Sequence, residues 1–190
     1  MKYKIVPFLL LNSFLIMVHA ANIAYVPKTA PGNTATAGVG REWPDPRFVV
    51  DTTGECVIDR LTGLMWARNA SLFGQASWGT SSEEGTAQYL IAQMNTNPSA
   101  TGYHLCGYSD WRLPNQTELL SLFNYSAPNS NQANWLNDTG IFAENSVRAE
   151  YYWSSTSNSI GAWSAYMIDG TTTPQGIDGS YSVWPVRGGR

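Results

Sequence analysis

The amino-acid sequence predicts an α+β fold in which two helices pack on short antiparallel β-sheets. Short apolar segments joined by glycine turns begin near residue 47 and are typical of an antiparallel meander. Two segments in the middle of the chain carry helix caps followed by apolar residues. The C-terminal third consists of strand-like segments and polar turns. These patterns predict one domain with a core of ordinary size.

The N-terminal residues have the features of an export signal. Lys2 and Lys4 precede an apolar run that is too short to span a membrane comfortably, and a small-residue cleavage pattern follows. An uncleaved membrane anchor is the alternative. We expect 1–20 to be a signal peptide, 21–46 a flexible linker or arm, and 47–190 an exported domain, located in the periplasm, at the cell surface or outside the cell.

The mature chain is predicted to be acidic. Without Lys2 and Lys4, nine of the eleven basic residues and all fourteen acidic residues remain, which gives a net charge of −5. The remaining basic residues are scattered, so we expect no nucleic acid as a partner. The chain also contains eight Trp and ten Tyr residues. Exported proteins rich in aromatic, amide and hydroxyl side chains often bind glycans, although a buried indole is the commoner outcome.

Strands are predicted at 48–51, 56–59 and 64–68, with tight turns between them. The first helix is expected to begin at Ser81, because Ser81 and Glu84 have the spacing of a capping box. Its apolar face would contain Ala87, Leu90, Ile91 and Met94.

The second helix follows a distinctive corner at 107–114. Pro114 ends an extended segment, and Asn115 with Glu118 forms a second capping-box pattern. Arg112 could stack on Trp111 and be neutralised by Asp110 or Glu118. We interpret this corner as scaffold; a catalytic role for its charged residues is the alternative.

A long polar loop is predicted at 126–147, and long loops on compact domains often bind ligands. Trp135 could stack on a ligand there. Asn137 and Asp138 could supply oxygen ligands to calcium, with an Asx turn as the alternative explanation. Otherwise the sequence gives no sign of a cofactor or a resident metal.

The C-terminal strands are predicted at 151–156, 162–169 and 180–187, with a polar loop at 170–179. Strand alternation puts Trp163 on one face of the middle strand and Tyr166 on the other. We select Trp163, Tyr166 and Tyr181 as further ligand-binding candidates, with core packing as the alternative for each. Pro185 predicts that the last strand lies at an edge or carries a bulge.

Cys56 and Cys106 are the only cysteines in the sequence. In an exported chain, two cysteines most simply form one structural disulfide. A zinc site is disfavoured because the mature chain keeps His104 as its single histidine and has no CxxC motif. A redox-active pair is disfavoured by the wide spacing.

Several motifs occur in a fixed order along the chain: TGLMW at 62–66, DWRLP at 110–114 and YWSST at 152–156. Together with Cys106-Gly107 and the C-terminal VRGG, they resemble the bacterial family named for the C-terminal domain of the collagen-like adhesin Lcl. The resemblance covers roughly 47–190. It implies a C-type-lectin-like fold, related to that of formylglycine-generating enzymes.

The resemblance implies an adhesin-like binding domain, since the best-known relative is an adhesin that binds sulfated glycosaminoglycans. This chain lacks the collagen stalk and a basic cluster, which argues against trimerisation and against sulfated ligands. We therefore expect an exported, non-enzymatic domain that binds glycans at a cell surface. A structural or protein-binding subunit of a surface or pilus assembly is the alternative, and self-association is possible. A formylglycine-generating oxidase is disfavoured, because the C-terminal third has no cysteine pair.

Overall fold

A computed structural model describes residues 43–125 and 131–188 of the chain. The predicted signal peptide and most of the predicted arm lie outside the described residues. The α+β prediction is confirmed, with three helices rather than two in the part of the chain that is described. No helix in these two ranges has the length and apolarity needed to cross a membrane.

The strands form two sheets. One has four strands in the order β1 (Phe48–Val50), β2 (Cys56–Asp59), β3 (Leu64–Ala67) and β9 (Val186–Gly188), all antiparallel. The other has five strands in the order β4 (Gln75–Ala76), β8 (Tyr181–Ser182), β5 (Tyr151–Ser157), β6 (Gly161–Tyr166) and β7 (Thr172–Gly176). Within this second sheet, β5 and β8 run parallel, and the other pairs are antiparallel.

The predicted N-terminal meander is confirmed by β1, β2 and β3. The predicted final strand is instead divided between the sheets, because β8 ends at Ser182 and β9 begins only at Val186. β9 lies at the edge of the four-stranded sheet, as Pro185 predicts. The prediction of a polar loop at 170–179 was wrong for the middle of that segment, where the five residues of β7 pair with β6.

Trp184 joins the two sheets in the core. Its ring lies 5.1 Å from that of Trp66 on β3 and 5.6 Å from that of Tyr152 on β5. Phe142 packs against the same ring at 5.4 Å, and the Trp184 Nε1–H donates to the Ala67 carbonyl at 2.8 Å. Burial raises the pKa of the Tyr152 hydroxyl to about 12. Tilted and edge-on contacts between large aromatic side chains therefore connect the two sheets, within a core that also contains many aliphatic residues.

The three helices are α1 (Ala87–Thr96), α2 (Gln116–Ser121) and α3 (Gln132–Asp138). The predicted start of α1 at Ser81 was wrong, because 81–85 form turns and Thr86 is the N-cap. Its buried face is formed by Ala87, Ile91 and Met94. The capping box of Asn115 and Glu118 on α2 is confirmed in both directions.

Helix α3 occupies part of the segment that was predicted to be a loop. Asn131 caps it, and the first two backbone N–H groups of the helix donate to the carbonyls of Ile168 and Met167. Gln132 is buried and exchanges hydrogen bonds with the backbone of Asn124. Tertiary contacts therefore stabilise a helix whose own sequence has little helical propensity.

Covalent and ionic contacts hold the corner at 107–114 in place. The predicted disulfide between Cys56 and Cys106 is confirmed. Glu118 neutralises Arg112 through two hydrogen bonds of 2.7 and 2.6 Å. The suggested stacking of Arg112 on Trp111 is not among the cation–π contacts of the described residues. Instead, the Trp111 Nε1–H donates to the Leu105 carbonyl.

Candidate functional site

Three tyrosines lie side by side across the centre of the five-stranded sheet. Tyr151 on β5 is directly opposite Tyr166 on β6, and the parallel pairing of Tyr152 with Ser182 puts Tyr181 on β8 beside Tyr151. Neighbouring strands are about 4.8 Å apart, so the three side chains form one continuous row. We call Tyr181, Tyr151 and Tyr166 the tyrosine row. Each of the three is partly exposed.

The rings of the tyrosine row support one another. Tyr151 and Tyr166 are stacked with centroids 4.5 Å apart and an angle of 22° between their planes. Tyr181 meets Tyr151 edge-on at 5.5 Å and the buried Trp153 edge-on at 4.8 Å. Because each ring contacts another ring, fewer side-chain rotamers are open to the row than to isolated surface tyrosines.

Tyr166 is the end of the row that lies nearest to β7. Tyr166 donates its backbone N–H to the carbonyl of Thr171, a small and exposed residue. On the side of Tyr166 away from Tyr151, the residue opposite it is therefore a small one that comes just before β7. A flat apolar group of a ligand could stack there.

Polar groups border the same face of the sheet. The Tyr181 hydroxyl donates to Oε1 of Gln175 on β7 at 2.9 Å. None of the described residues accepts a hydrogen bond from the Gln175 Nε2, so this amide remains a donor. This face of the sheet thus combines an aromatic surface with an amide and phenolic hydroxyls.

Acidic side chains flank the tyrosine row along the chain. Glu150 precedes Tyr151 and accepts hydrogen bonds from Gln75 Nε2 and the Ser182 hydroxyl. Asp169 lies three residues after Tyr166, and Asp178 lies three residues before Tyr181. Hydrogen bonds from the backbone and side chain of Thr171 lower the pKa of Asp169.

Trp163, the remaining candidate on the sheet, does not belong to the row. It lies on β6 opposite Pro174, and strand alternation places it on the other face from Tyr166. Its side chain is partly buried. The structure thus brings Tyr166 and Tyr181 together through Tyr151, and leaves Trp163 apart from them.

The three candidates from the predicted loop lie on α3. Trp135 packs against the rings of Trp43 and Phe48 at 5.9 and 6.1 Å. Asn137 holds the backbone of Val147 with both ends of its amide. Asp138 is exposed at the end of the helix. Trp135 therefore serves in packing, and Asn137 serves in hydrogen bonding to the backbone.

Sequence reasoning missed Tyr151. The residue was placed in a strand, but its position between Tyr166 and Tyr181 depends on the parallel pairing of β5 with β8. That pairing joins segments about thirty residues apart. Alternation within one strand carries no signal of which strand lies beside it.

Asp51, Cys56 and Cys106 place potential ligand atoms within 4.8 Å of one another. Both sulfur atoms belong to the disulfide, so the group offers no thiolate to a metal ion. The Asp51 carboxylate is also engaged, since it accepts hydrogen bonds from Thr53 and from the backbone N–H of Cys56. We interpret this group as a reinforced turn.

Two shallow clefts lie away from the tyrosine row. One, of about 250 Å³, is lined by residues around Arg68 and Leu105. The other, of about 270 Å³, lies between α1 and the segment around Trp111. The guanidinium groups of Arg68 and Arg112 are bound to backbone carbonyls and to Glu118, so neither cleft presents a free arginine, although the exposed Glu55 lines the first cleft. The tyrosine row is therefore the stronger candidate site.

Comparison with known proteins identifies the family. No curated protein matches the chain. The family of the Lcl C-terminal domain matches residues 55–187, a range that includes every strand except β1 and part of β9, and all three helices. The match also includes the tyrosine row, the disulfide and the capped corner. The chain belongs to the Lcl C-terminal domain family.

Proposed function

We propose that the protein is an exported, non-enzymatic binding domain of adhesin type that recognises glycans at a cell surface. The disulfide between Cys56 and Cys106, together with the family, indicates a domain that works outside the cytoplasm. The arrangement of helices on two small sheets is compatible with a C-type-lectin-like fold, which we propose as its closest architecture.

The observation that carries this proposal is the tyrosine row. Sugars present an apolar C–H face and a rim of hydroxyl groups. The partly exposed ring of Tyr166 would stack on the C–H face, and the tyrosine hydroxyls would bond to the rim. Because Tyr166 stacks on Tyr151, which in turn contacts Tyr181, little side-chain entropy would be lost on binding.

A non-enzymatic role is supported by the disulfide that joins the two cysteines. A catalyst of the formylglycine-generating type would need a reactive cysteine pair. The two cysteines of this sequence are joined to each other near one end of the four-stranded sheet. The two charged residues of the corner at 107–114 form salt bridges to residues outside it, Asp110 to Arg187 and Arg112 to Glu118, which supports the interpretation of that corner as scaffold.

The experiment is a screen of the mature protein on a glycan array, followed by calorimetric titration of Tyr166→Ala and Tyr166→Phe. We expect Tyr166→Ala to weaken binding about tenfold, because the stacking surface is removed. Tyr166→Phe should retain most of the affinity, since it keeps the ring. Tyr103→Ala is the matched control, because Tyr103 is exposed and stacks on His104 away from the row.

Two results would count against the proposal. One is an array without any bound glycan, both with and without calcium. The other is binding that Tyr103→Ala weakens as much as Tyr166→Ala does. Either would remove the tyrosine row as a glycan site.

A protein ligand is the second candidate, and one observation favours it. Ile160 and Ile177 are 59% and 49% exposed beside the facing residues Gly161 and Gly176, at the edge of the five-stranded sheet. Exposed apolar residues at a sheet edge are common in protein interfaces. If the array is empty, sedimentation of the wild type and of Ile160→Ser/Ile177→Ser would test this role, because a protein-binding edge should lose its association in the variant.

A further inference from the structure

We infer that the cleft between helix α1 and the segment 111–113 binds the acetamido group of an amino sugar. We call this depression the α1 cleft, and its volume is about 270 Å³. None of the described residues that line it belongs to the tyrosine row. The inference therefore adds a second contact site to the proposed function, and either site can fail in an experiment without the other.

The first step concerns a backbone donor in the wall of the α1 cleft. Arg112 exchanges two backbone hydrogen bonds with Val186 on β9, at 2.9 and 3.0 Å. In an extended segment the next residue directs its N–H to the opposite side, so the Leu113 N–H points away from β9. The backbone of Trp111 does the same and bonds to the side chain of Asn95 on α1. Leu113 is 4% exposed, and none of the described residues accepts a hydrogen bond from its N–H.

The second step concerns the acceptor that this donor requires. Buried backbone N–H groups in folded proteins are paired in all but a few per cent of cases. The Leu113 N–H therefore requires an acceptor from outside the chain. A water molecule takes about 30 Å³ in the liquid, so the α1 cleft has room for far more than the single water that could accept from this donor. A small ligand with a carbonyl group fits both the donor and the volume.

The third step concerns the shape of that ligand. The Asn95 Oδ1 accepts from the Trp111 N–H at 3.0 Å, and the Asn95 Nδ2 donates to the Trp111 carbonyl at 2.7 Å. The amide of Asn95 thus occupies the position beside Trp111 that a second strand would need. An extended peptide that ran along the segment would meet this amide. A pendant acetamido group needs only the position beside Leu113, so it avoids the obstruction.

The fourth step concerns the other walls of the α1 cleft. Ile91 and Trp111 line it and are each 3% exposed, so they offer apolar contact to the methyl of an acetamido group. Gln88 and Ser155 line it as well, and the side chain of neither bonds to a described residue. Their amide and hydroxyl groups are suited to the hydroxyls of a sugar ring. An acetylated lysine would instead bring a methylene chain to these polar groups, which favours the amino sugar.

The experiment is a titration of the isotope-labelled mature protein, followed by amide NMR spectra. The probe is methyl N-acetylglucosaminide, and methyl glucoside is the matched sugar without the acetamido group. We expect the first to shift the Leu113 amide signal with saturation in the millimolar range, because a carbonyl accepts its hydrogen bond. The glucoside should leave that signal in place.

Variants test whether the α1 cleft is the site. Ala92 lines it and is only partly buried, so Ala92→Leu should fill it and abolish the saturable shift. Gln93→Leu is the matched control, because it adds a leucine to the same helix at a residue that does not line the cleft. Gln88→Ala/Ser155→Ala keeps the cleft open and should weaken binding about fivefold, since two hydrogen bonds to the ring are lost. The amide spectra also show whether each variant is folded.

The outcomes separate this inference from the proposed function. Equal shifts with the two sugars, or none that saturates, would overturn it, and so would equal affinity in Ala92→Leu and Gln93→Leu. Tighter binding of an acetyl-lysine peptide would overturn the assignment to amino sugars. A saturable Leu113 shift together with an empty glycan array would support the cleft and remove the tyrosine row. Array binding that depends on Tyr166, without any Leu113 shift, would do the reverse.

Discussion

Arg47 and Asp59 form the most deeply buried ion pair of the described residues. The Nε and Nη2 groups of Arg47 reach the two carboxylate oxygens of Asp59 at 3.0 and 2.7 Å. Nη2 also donates to the Ser121 carbonyl, and the guanidinium lies 4.4 Å from the ring centre of Trp43. Asp59 in turn accepts bonds from Leu61 and Thr62. One carboxylate thus connects β1, β2 and the following turn.

Removal of this carboxylate should destabilise the domain strongly. We expect Asp59→Ala to lower the free energy of unfolding by roughly 3–5 kcal/mol, because the Arg47 charge would remain buried without its partner. Urea denaturation followed by tryptophan fluorescence measures the change. Asp138→Ala, at an exposed position, should change stability by less than about 0.5 kcal/mol. Equal losses in the two variants would contradict a special role for the buried pair.

At the scale of the element, helix α2 shows how a short segment is fixed by its first turn. The helix has six residues, too few for intrinsic stability. The Asn115 side chain accepts from the Glu118 N–H at 2.8 Å, and the Glu118 carboxylate accepts from the Asn115 N–H at 2.8 Å. That carboxylate also binds Arg112, so the cap connects the helix to the extended segment before it.

Loss of the cap should therefore have a measurable cost. We expect Asn115→Ala to lower the free energy of unfolding by about 1 kcal/mol, because it leaves the Glu118 N–H without its acceptor. Thermal and urea unfolding measure the loss. Thr117→Ala is the control on the same helix, since Thr117 is exposed. A cost for Thr117→Ala as large as that for Asn115→Ala would show that the cap contributes nothing specific.

The elements that could be predicted are those whose signals are local. Tight turns around Gly54 and Gly63 identify β1, β2 and β3, and Pro114 with Asn115 identifies the start of α2. Helix α3 could not be found this way, because its first N–H groups depend on the carbonyls of Met167 and Ile168. Strand β7 was missed because Thr, Pro and Gly resemble a loop, and pairing with β6 along its whole length overrides that preference.

At the scale of the whole molecule, the disulfide closes a long loop. Cys56 and Cys106 are 50 residues apart in sequence, and the enclosed segment contains β3, β4 and α1. In the chain-entropy picture, such a crosslink stabilises the fold by about 4 kcal/mol, because it restricts the unfolded chain. Its location beside β2 attaches the loop that leads to Trp111 to the four-stranded sheet.

Removal of the crosslink should show this contribution directly. We expect Cys56→Ala/Cys106→Ala to be less stable than the oxidised wild type by a similar amount in guanidinium denaturation. A reductant should lower the midpoint of the wild type and leave that of the double variant unchanged. A wild type that keeps its midpoint in reductant, with complete reduction verified by mass spectrometry, would contradict the prediction.

The candidate site could be predicted only in part, because, as in the fold, only local signals can be read from the sequence. The sequence indicates Tyr166 and Tyr181 as candidates because they are aromatic residues in predicted strands of an exported protein. Their convergence is a property of strand order, which Tyr151 completes from a third strand. The sequence indicates Trp135 equally well, yet this side chain packs against Trp43 and Phe48. An indole is suited both to core packing and to ligand binding, so its residue type does not distinguish the two roles.

The strand order has a practical consequence for any assay that tethers the protein. The outermost strands of the folded domain, β1 and β9, are the two edges of the four-stranded sheet, whereas the tyrosines belong to the other sheet. A biotin acceptor or a fusion partner attached before β1 or after β9 would therefore be connected through the four-stranded sheet and not through the sheet that carries the tyrosines. We expect sensor chips loaded through either tag to give the same affinity for dissolved oligosaccharides.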